Sequence, residues 1–272
     1  MCGRARAAAA ETVQNAARAV GGGRSEPQWD DADRYKARPN AHPGQSLGSI
    51  VAESGVVRVC TDTWGLIPKG GGGDHFKMFN ARSETAFVLR SFRELYRNGR
   101  AVVVLDGFYE WTEGALKEKQ PHYAHRADGE PLLVAALRAN GTCTLLTREV
   151  VPSLSWLHDR MPVIFEDAEK ARAWLDDRSS EPFDFGSPPD LATHPVTKKM
   201  SKMNYQEDDA SDPIKEPKKL TAFFKPTPAQ TGATKRRGQP QTPPPAKRPA
   251  ENKQSPPAAK GTITAFFEPT PD

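Results

Sequence analysis

A chain of 272 residues has room for one large domain or two small ones, and its composition shifts sharply along its length. Residues 211–272 hold eleven Lys/Arg against five Asp/Glu and 13 of the 25 prolines, so the net +4 divides into +6 for this tail and −2 for residues 1–210. Bulk charge therefore does not make the folded part a nucleic-acid binder, and any such surface on it must be a local patch. The three cysteines, Cys2, Cys60 and Cys143, are odd in number and form no C-x-x-C, which argues against a disulfide framework and a zinc site. With no apolar run near 18 residues and no signal-peptide pattern, the chain reads as soluble, intracellular, free of membrane spans, and without a metal or organic cofactor.

Met1-Cys2-Gly3-Arg4 opens the chain. An initiator Met before a small residue is normally trimmed, which would leave Cys2 with an α-amine and a thiol on one skeleton. These groups titrate near pH ~8 and ~8.5, so both are partly nucleophilic at neutral pH. Such a 1,2-aminothiol traps aldehydes as a five-membered thiazolidine.

Ala5 to Val20 reads as a helix stopped at Gly21-Gly22-Gly23, and residues 24–47 read as a polar loop. Ser49 to Ala52 and Val56 to Cys60 form a hairpin-like pair. Residues 70–73 form a glycine loop, and Thr85 to Asn98 carries apolar residues at helical spacing. The Val-rich run Ala101 to Leu105 predicts a buried strand that delivers Gly107-Phe108-Tyr109-Glu110-Trp111. Further strands are expected at 121–125, 132–137 and 142–147, and a helix at 167–175. Together these predict one α+β domain over residues 2–205, with a mainly antiparallel, barrel-like sheet and peripheral helices. Residues 206–272 form a disordered, basic, Pro-rich tail, in which Lys219 to Phe224 and Thr262 to Phe267 repeat one short pattern.

Several residues in this frame carry chemistry. Glu110, at the end of a buried strand between two aromatics, is either a desolvated carboxylate with a raised pKa or a strand-end group facing water. His158 lies in a polar segment before Met161-Pro162. Asn80 and Arg82, two positions apart, share one face if extended, and together suit a phosphate or the amino terminus. Trp64, Phe76, Phe79 and Trp111 are either core or platforms for unstacked bases, with core expected for at least half.

Taken together, Met1-Cys2-Gly3-Arg4, Trp64-Gly65-Leu66-Ile67-Pro68, Asn80-Ala81-Arg82-Ser83-Glu84-Thr85, Gly107-Phe108-Tyr109-Glu110-Trp111 and His158-Asp159-Arg160-Met161-Pro162 resemble the SOS response-associated peptidase (SRAP) family in content and order. Asn40-x-x-Pro43-x-Gln45 and His194-Pro195-Val196 add to the likeness, which spans roughly residues 2–200. The resemblance implies binding of single-stranded DNA and capture of abasic sites as a thiazolidine cross-link. It makes Cys2 the nucleophile, Glu110 the proton-transfer group and His158 an acid/base at the opened sugar. Asn80 and Arg82 would position Cys2 and the phosphates, Arg4 would add a phosphate contact, and Thr147 would line the pocket. It also implies autocatalytic removal of Met1, with Trp64 and either Phe76 or Phe79 as the DNA-facing aromatics. Two departures stand out: Lys69 and four glycines follow Pro68, and Thr147-Arg148-Glu149-Val150 replaces a Thr-Thr-x-Ala type of segment.

The tail has its own resemblance. Leu220, Phe223 and Phe224, and again Ile263, Phe266 and Phe267, look like motifs that bind the sliding clamp PCNA, without their usual leading Gln. Lys235-Arg236-Arg237 and Lys247-Arg248, nine residues apart, read as a bipartite nuclear signal. The expectation is thus a monomeric nuclear sensor of abasic sites. A cysteine protease with His158 as base, or a non-enzymatic clamp-binding adaptor, are the alternatives.

Overall fold

A computed structural model describes residues 3–23, 25–67, 74, 76–113 and 118–214. Twelve strands run in the order β1 (Ala5–Ala7), β2 (Gln28–Trp29), β3 (Arg38–Ala41), β4 (Ser46–Glu53), β5 (Val56–Trp64), β6 (Asn80–Arg82), β7 (Arg100–Glu113), β8 (Lys119–Arg126), β9 (Leu132–Ala139), β10 (Thr142–Glu149), β11 (Arg160–Pro162) and β12 (Leu191–Pro195). Four helices accompany them: α1 (Ala10–Val20), α2 (Ser83–Ala86), α3 (Arg93–Asn98) and α4 (Ala168–Asp176). The architecture is α+β with one large, mostly antiparallel sheet, as the sequence predicts.

The sheet closes on itself. β4 pairs with β5 and β7, β7 with β9, β9 with β10, and β10 returns to β5 in parallel. The other strands hang from this ring, so it is ring-like without being a simple barrel. Alternation along each strand then makes two cores. Leu47, Val51, Val103, Leu105, Val134, Leu145 and Trp64 pack on one side. Ile50, Val59, Val102, Val104, Leu133 and Leu146 pack on the other, under α1 and α4. This is why residues 101–105 are apolar without alternation: the strand is covered on both faces.

The chain departs from expectation at the ends of its helices. Residues 5–7 are not the start of a helix but a strand, held between β3 and β7. Ala5 and Ala7 are small enough to be buried completely there, and the two ladders outweigh alanine's helix propensity. The helix begins at Ala10 and packs on β4 through Val13, which lies 2.8 Å from where a Cβ on Gly48 would stand. Residues 85–98 break into α2 and α3, leaving Val88 and Leu89 exposed while Phe92 and Tyr96 turn inward. Strands β2 and β3 lie within the segment read as a loop.

Packing also continues past residue 205, so the edge set by composition falls inside the folded chain. Ala210 is fully buried, Ile214 donates its N–H to the Pro195 carbonyl, and Arg6 donates to the Asp208 carbonyl and Ser211 Oγ. Backbone hydrogen bonds anchor this polar stretch, a signal that apolar content does not carry. The clamp-type motifs with Leu220, Phe223, Phe224, Ile263, Phe266 and Phe267, and the basic clusters after residue 234, lie outside the described residues.

Gly107 on β7 marks a close approach. A Cβ there would sit 2.4–2.5 Å from the ring and hydroxyl of Tyr123, whose side chain is buried against Tyr109. Gly107→Ala is expected to lower unfolding free energy by about 1–3 kcal/mol, the usual cost of overpacking, measured as a lower midpoint in urea at an unchanged slope.

Candidate active site

The site is a cleft lined by β7 and by the segment that runs from the end of β10 into β11. β1 pairs antiparallel with β7, Ala5 opposite Phe108, and the Tyr109 N–H donates to the Arg4 carbonyl at 3.0 Å. The amino end of the described chain is thereby stitched to β7 beside Glu110. Cys2 itself lies outside the described residues.

Glu110 is only 4% exposed. It shares a narrow, mainly apolar cleft with Phe108, Val150, Leu154, Leu157, His158, Arg160 and Met161. Burial penalises its charged form and the nearby Asp159 carboxylate adds to this, so its pKa rises to about 7. Of the two readings of Glu110, the desolvated one describes it.

His158 lines the same cleft, partly buried, and its Nδ1 accepts the Arg160 N–H at 3.0 Å. Asp159 Oδ1 lies 2.6 Å from the same nitrogen, but that carboxylate is 84% exposed and screened by water. Burial is the largest influence and lowers the imidazole pKa, which favours the neutral ring.

Arg160 ties the cleft to α2 and β10. Its guanidinium forms a bidentate pair with Glu84 at 2.7 and 2.8 Å and donates to the Thr147 carbonyl at 2.6 Å. That pairing pulls the Glu84 pKa down. β6 runs parallel to β10, Asn80 opposite Leu145 and Arg82 opposite Thr147, so Asn80 and Arg82 share a face while Ala81 between them is buried. Arg82 is exposed.

Three sequence-derived DNA contacts need correction. Trp64 is fully buried, its indole N–H donating to the Phe79 carbonyl at 2.9 Å, so it has no surface to offer a base. Thr147 is 2% exposed and faces the Ala81 carbonyl and Arg160, which makes it a wall of the scaffold behind the cleft. The Arg4 guanidinium is committed to Asn40 Oδ1 and to the Met200 and Ser201 carbonyls, over the Trp111 ring. It braces the amino end rather than reaching outward for phosphate. Between the two wedge aromatics, Phe79 packs on the inner core against Trp64, whereas Phe76 is 51% exposed and stacks on His42. Trp111 is half-buried and donates to Ser201 Oγ.

The sequence reading missed four contributors. His122 stands opposite Glu110 in the β7–β8 register, and only strand pairing reveals it. Trp156 packs edge-on against His122. Arg160 sits inside a quoted motif but had no assigned role. Asn40 binds Arg4 through its oxygen and donates from its amide to the Met200, Lys202 and Tyr205 carbonyls, fastening Arg4 and residues 200–205 to β3. Neither Cys60 nor Cys143 belongs to the cleft, and burial raises the pKa of both thiols. Among the described residues no group of three metal-ligating side chains gathers, and no helix is long and apolar enough to cross a membrane.

Glu110, its pKa raised to about 7, and His158, its pKa lowered, thus line one cleft of this α+β domain. Over residues 1–203 the chain matches the family described as SOS response associated peptidase (SRAP), and it belongs to that family. It is 33% identical over 147 residues to abasic site processing protein YedK of Escherichia coli (strain K12), covering 51% of this chain and 64% of that protein. It is 31% identical over 222 residues to abasic site processing protein HMCES of Xenopus tropicalis, covering 65% and 66%. The chain thus spans about two thirds of the length of these two relatives. The fold recurs in crystal structures of a phage-related protein from Bordetella bronchiseptica (TM-score 0.57, 25% identity, 72% of this chain and 95% of that one) and of a protein from Bacteroides thetaiotaomicron (TM-score 0.60, 20% identity, 77% and 98%).

The Glu110 shift carries a sign. A carboxyl whose folded pKa lies above its unfolded value stabilises the fold below the unfolded pKa, and that contribution is lost as pH rises through about 4.5 to 7. Glu110→Gln should melt with the wild type below pH 4.5 and be more stable at pH 8, by on the order of 3 kcal/mol at most. Thermal melts at stepped pH check this.

Proposed function

We propose that this protein recognises abasic sites in single-stranded DNA and captures them covalently through Cys2 after removal of Met1. The observation that carries the reading is Glu110, a buried carboxyl titrating near pH 7 next to the strand that anchors the amino end. Chain length holds Cys2 within about 7 Å of Arg4, and Arg4 is bonded to Tyr109, the neighbour of Glu110. The names of the relatives, each called an abasic site processing protein, support the same substrate.

The chemistry balances without a cofactor. The Cys2 amine adds to the aldehyde carbon of the ring-opened sugar, and the carbinolamine loses water to give an imine. The Cys2 sulfur then adds to that carbon and its proton ends on nitrogen, closing the thiazolidine. Glu110, near half-protonated at neutral pH, delivers a proton to the departing hydroxyl and takes one from the thiol. His158 moves the proton at the sugar ring oxygen as the ring opens. Arg82, exposed beside Asn80, suits a flanking phosphate. Cys60, partly buried, and Cys143, fully buried, both have raised thiol pKa values and are poor competitors for the nucleophile's role. The same apparatus would release Met1. The tail motifs at 219–224 and 262–267 would recruit the PCNA clamp, two copies gaining by avidity, in a monomer carried to the nucleus by its basic clusters.

Mixing the purified protein with abasic single-stranded DNA should yield a denaturation-resistant adduct whose mass is the sum of the partners less one water. Cys2→Ala should abolish it. Glu110→Gln should slow it by about 10²–10⁴ and remove a limb of the pH–rate profile near pH 7. Wild-type protein that lacks Met1 and yet forms no adduct would refute the proposal.

A further inference from the structure

Trp156 has no place in the mechanism above, and its position is unusual. It sits between the 3-10 turn Pro152–Leu154 and β11, two residues before His158, with 53% of its surface exposed. Its indole packs edge-on against His122, ring centroids 5.1 Å apart at 84°. His122 is the register partner of Glu110, and its Nδ1 is hydrogen-bonded to the Gln120 carbonyl at 3.1 Å. Leu154 and Leu157, on either side of Trp156, line the cleft that holds Glu110 and His158. A large indole thus packs on an imidazole that is itself hydrogen-bonded, between two leucines that line the cleft, with half of its surface open to solvent.

The geometry points to Trp156 as the platform on which the nucleobase adjoining the abasic site stacks, with His122 as its brace. This rests on the function proposed above and adds to it a residue that selects the substrate. The occupant follows from the lesion. A nucleotide without a base deprives its neighbour of a stacking partner on one side, and an exposed aromatic face supplies a replacement for any base. Braced against His122, the indole also loses little rotamer freedom on binding. The platform favours a lesion flanked by bases over a run of baseless sugars, and so distinguishes a single abasic site from an extended baseless tract.

The test uses a probe that cannot cross-link: single-stranded oligonucleotides with one tetrahydrofuran abasic analogue, titrated by fluorescence anisotropy. A second series carries tetrahydrofuran at the lesion and at both neighbours, so that no flanking base remains. Trp156→Ala should weaken binding to the first series by about 5- to 100-fold, and Trp156→Phe should recover most of it. On the second series the wild type should bind as weakly as the variant. Equal losses for Trp156→Ala on both series would reveal a structural role for Trp156 and overturn the inference, as would no loss on either. Because these probes lack the reactive aldehyde, the result is independent of whether Cys2 forms an adduct. A wild type that stacks but never cross-links would defeat the proposed function alone.

Discussion

The structure depends on one pairing, the short strand β1 against β7. A chain's amino end is ordinarily a free segment with little to hold it. Here Ala5 and Ala7 are buried in a three-strand arrangement with β3 and β7, and the bond from the Tyr109 amide to the Arg4 carbonyl fixes the register next to Glu110. Any chemistry that uses the terminal amine requires that end to return to one place. The ladder supplies this at the cost of two small, fully buried side chains.

A second tie reinforces the first from the far end of the domain. Arg4 and Arg6 donate to the backbone of residues 200–208, and Asn40 gathers three carbonyls from residues 200–205 while accepting from Arg4. The arginine bonds are charge-assisted and join segments some 200 residues apart in sequence. They also explain why Arg4 is drawn inward. Its guanidinium is partly desolvated, which lowers its pKa, and the backbone carbonyls compensate for the water it loses.

How much of this was legible follows from which signals are local. The Val-rich run of β7, the strands expected at 121–125, 132–137 and 142–147, and the helix expected at 167–175 follow from sequence patterning and recur at 119–126, 132–139, 142–149 and 168–176. The motif set pointed to Glu110 and His158, which the fold brings to one cleft. What stayed hidden was relational. Trp64 and Exposed-reading aromatics such as Phe76 look alike in sequence, and only packing separates the one inside the ring from the one on its surface. His122 gains its place from a register 12 residues away, and Asn40 from partners 160 or more residues distant. Hydrogen bonds to backbone carbonyls leave almost no imprint on side-chain composition, so the packing of residues 206–214 was equally unreadable.

The cleft's electrostatics turn on how one arginine is spent. Two carboxylates stand near Arg160, and they are pushed in opposite directions. Glu84 receives the bidentate guanidinium and is held ionised. Arg160 is fixed there and on the Thr147 carbonyl, whereas burial is the largest influence on Glu110, and its pKa climbs to about 7. Had the guanidinium turned to Glu110, an opposite charge at that distance would have favoured the ionised form and left a carboxylate with no proton to give at neutral pH. Thr147 and Glu84 therefore hold the Arg160 guanidinium in place on the wall of the cleft that it shares with Glu110.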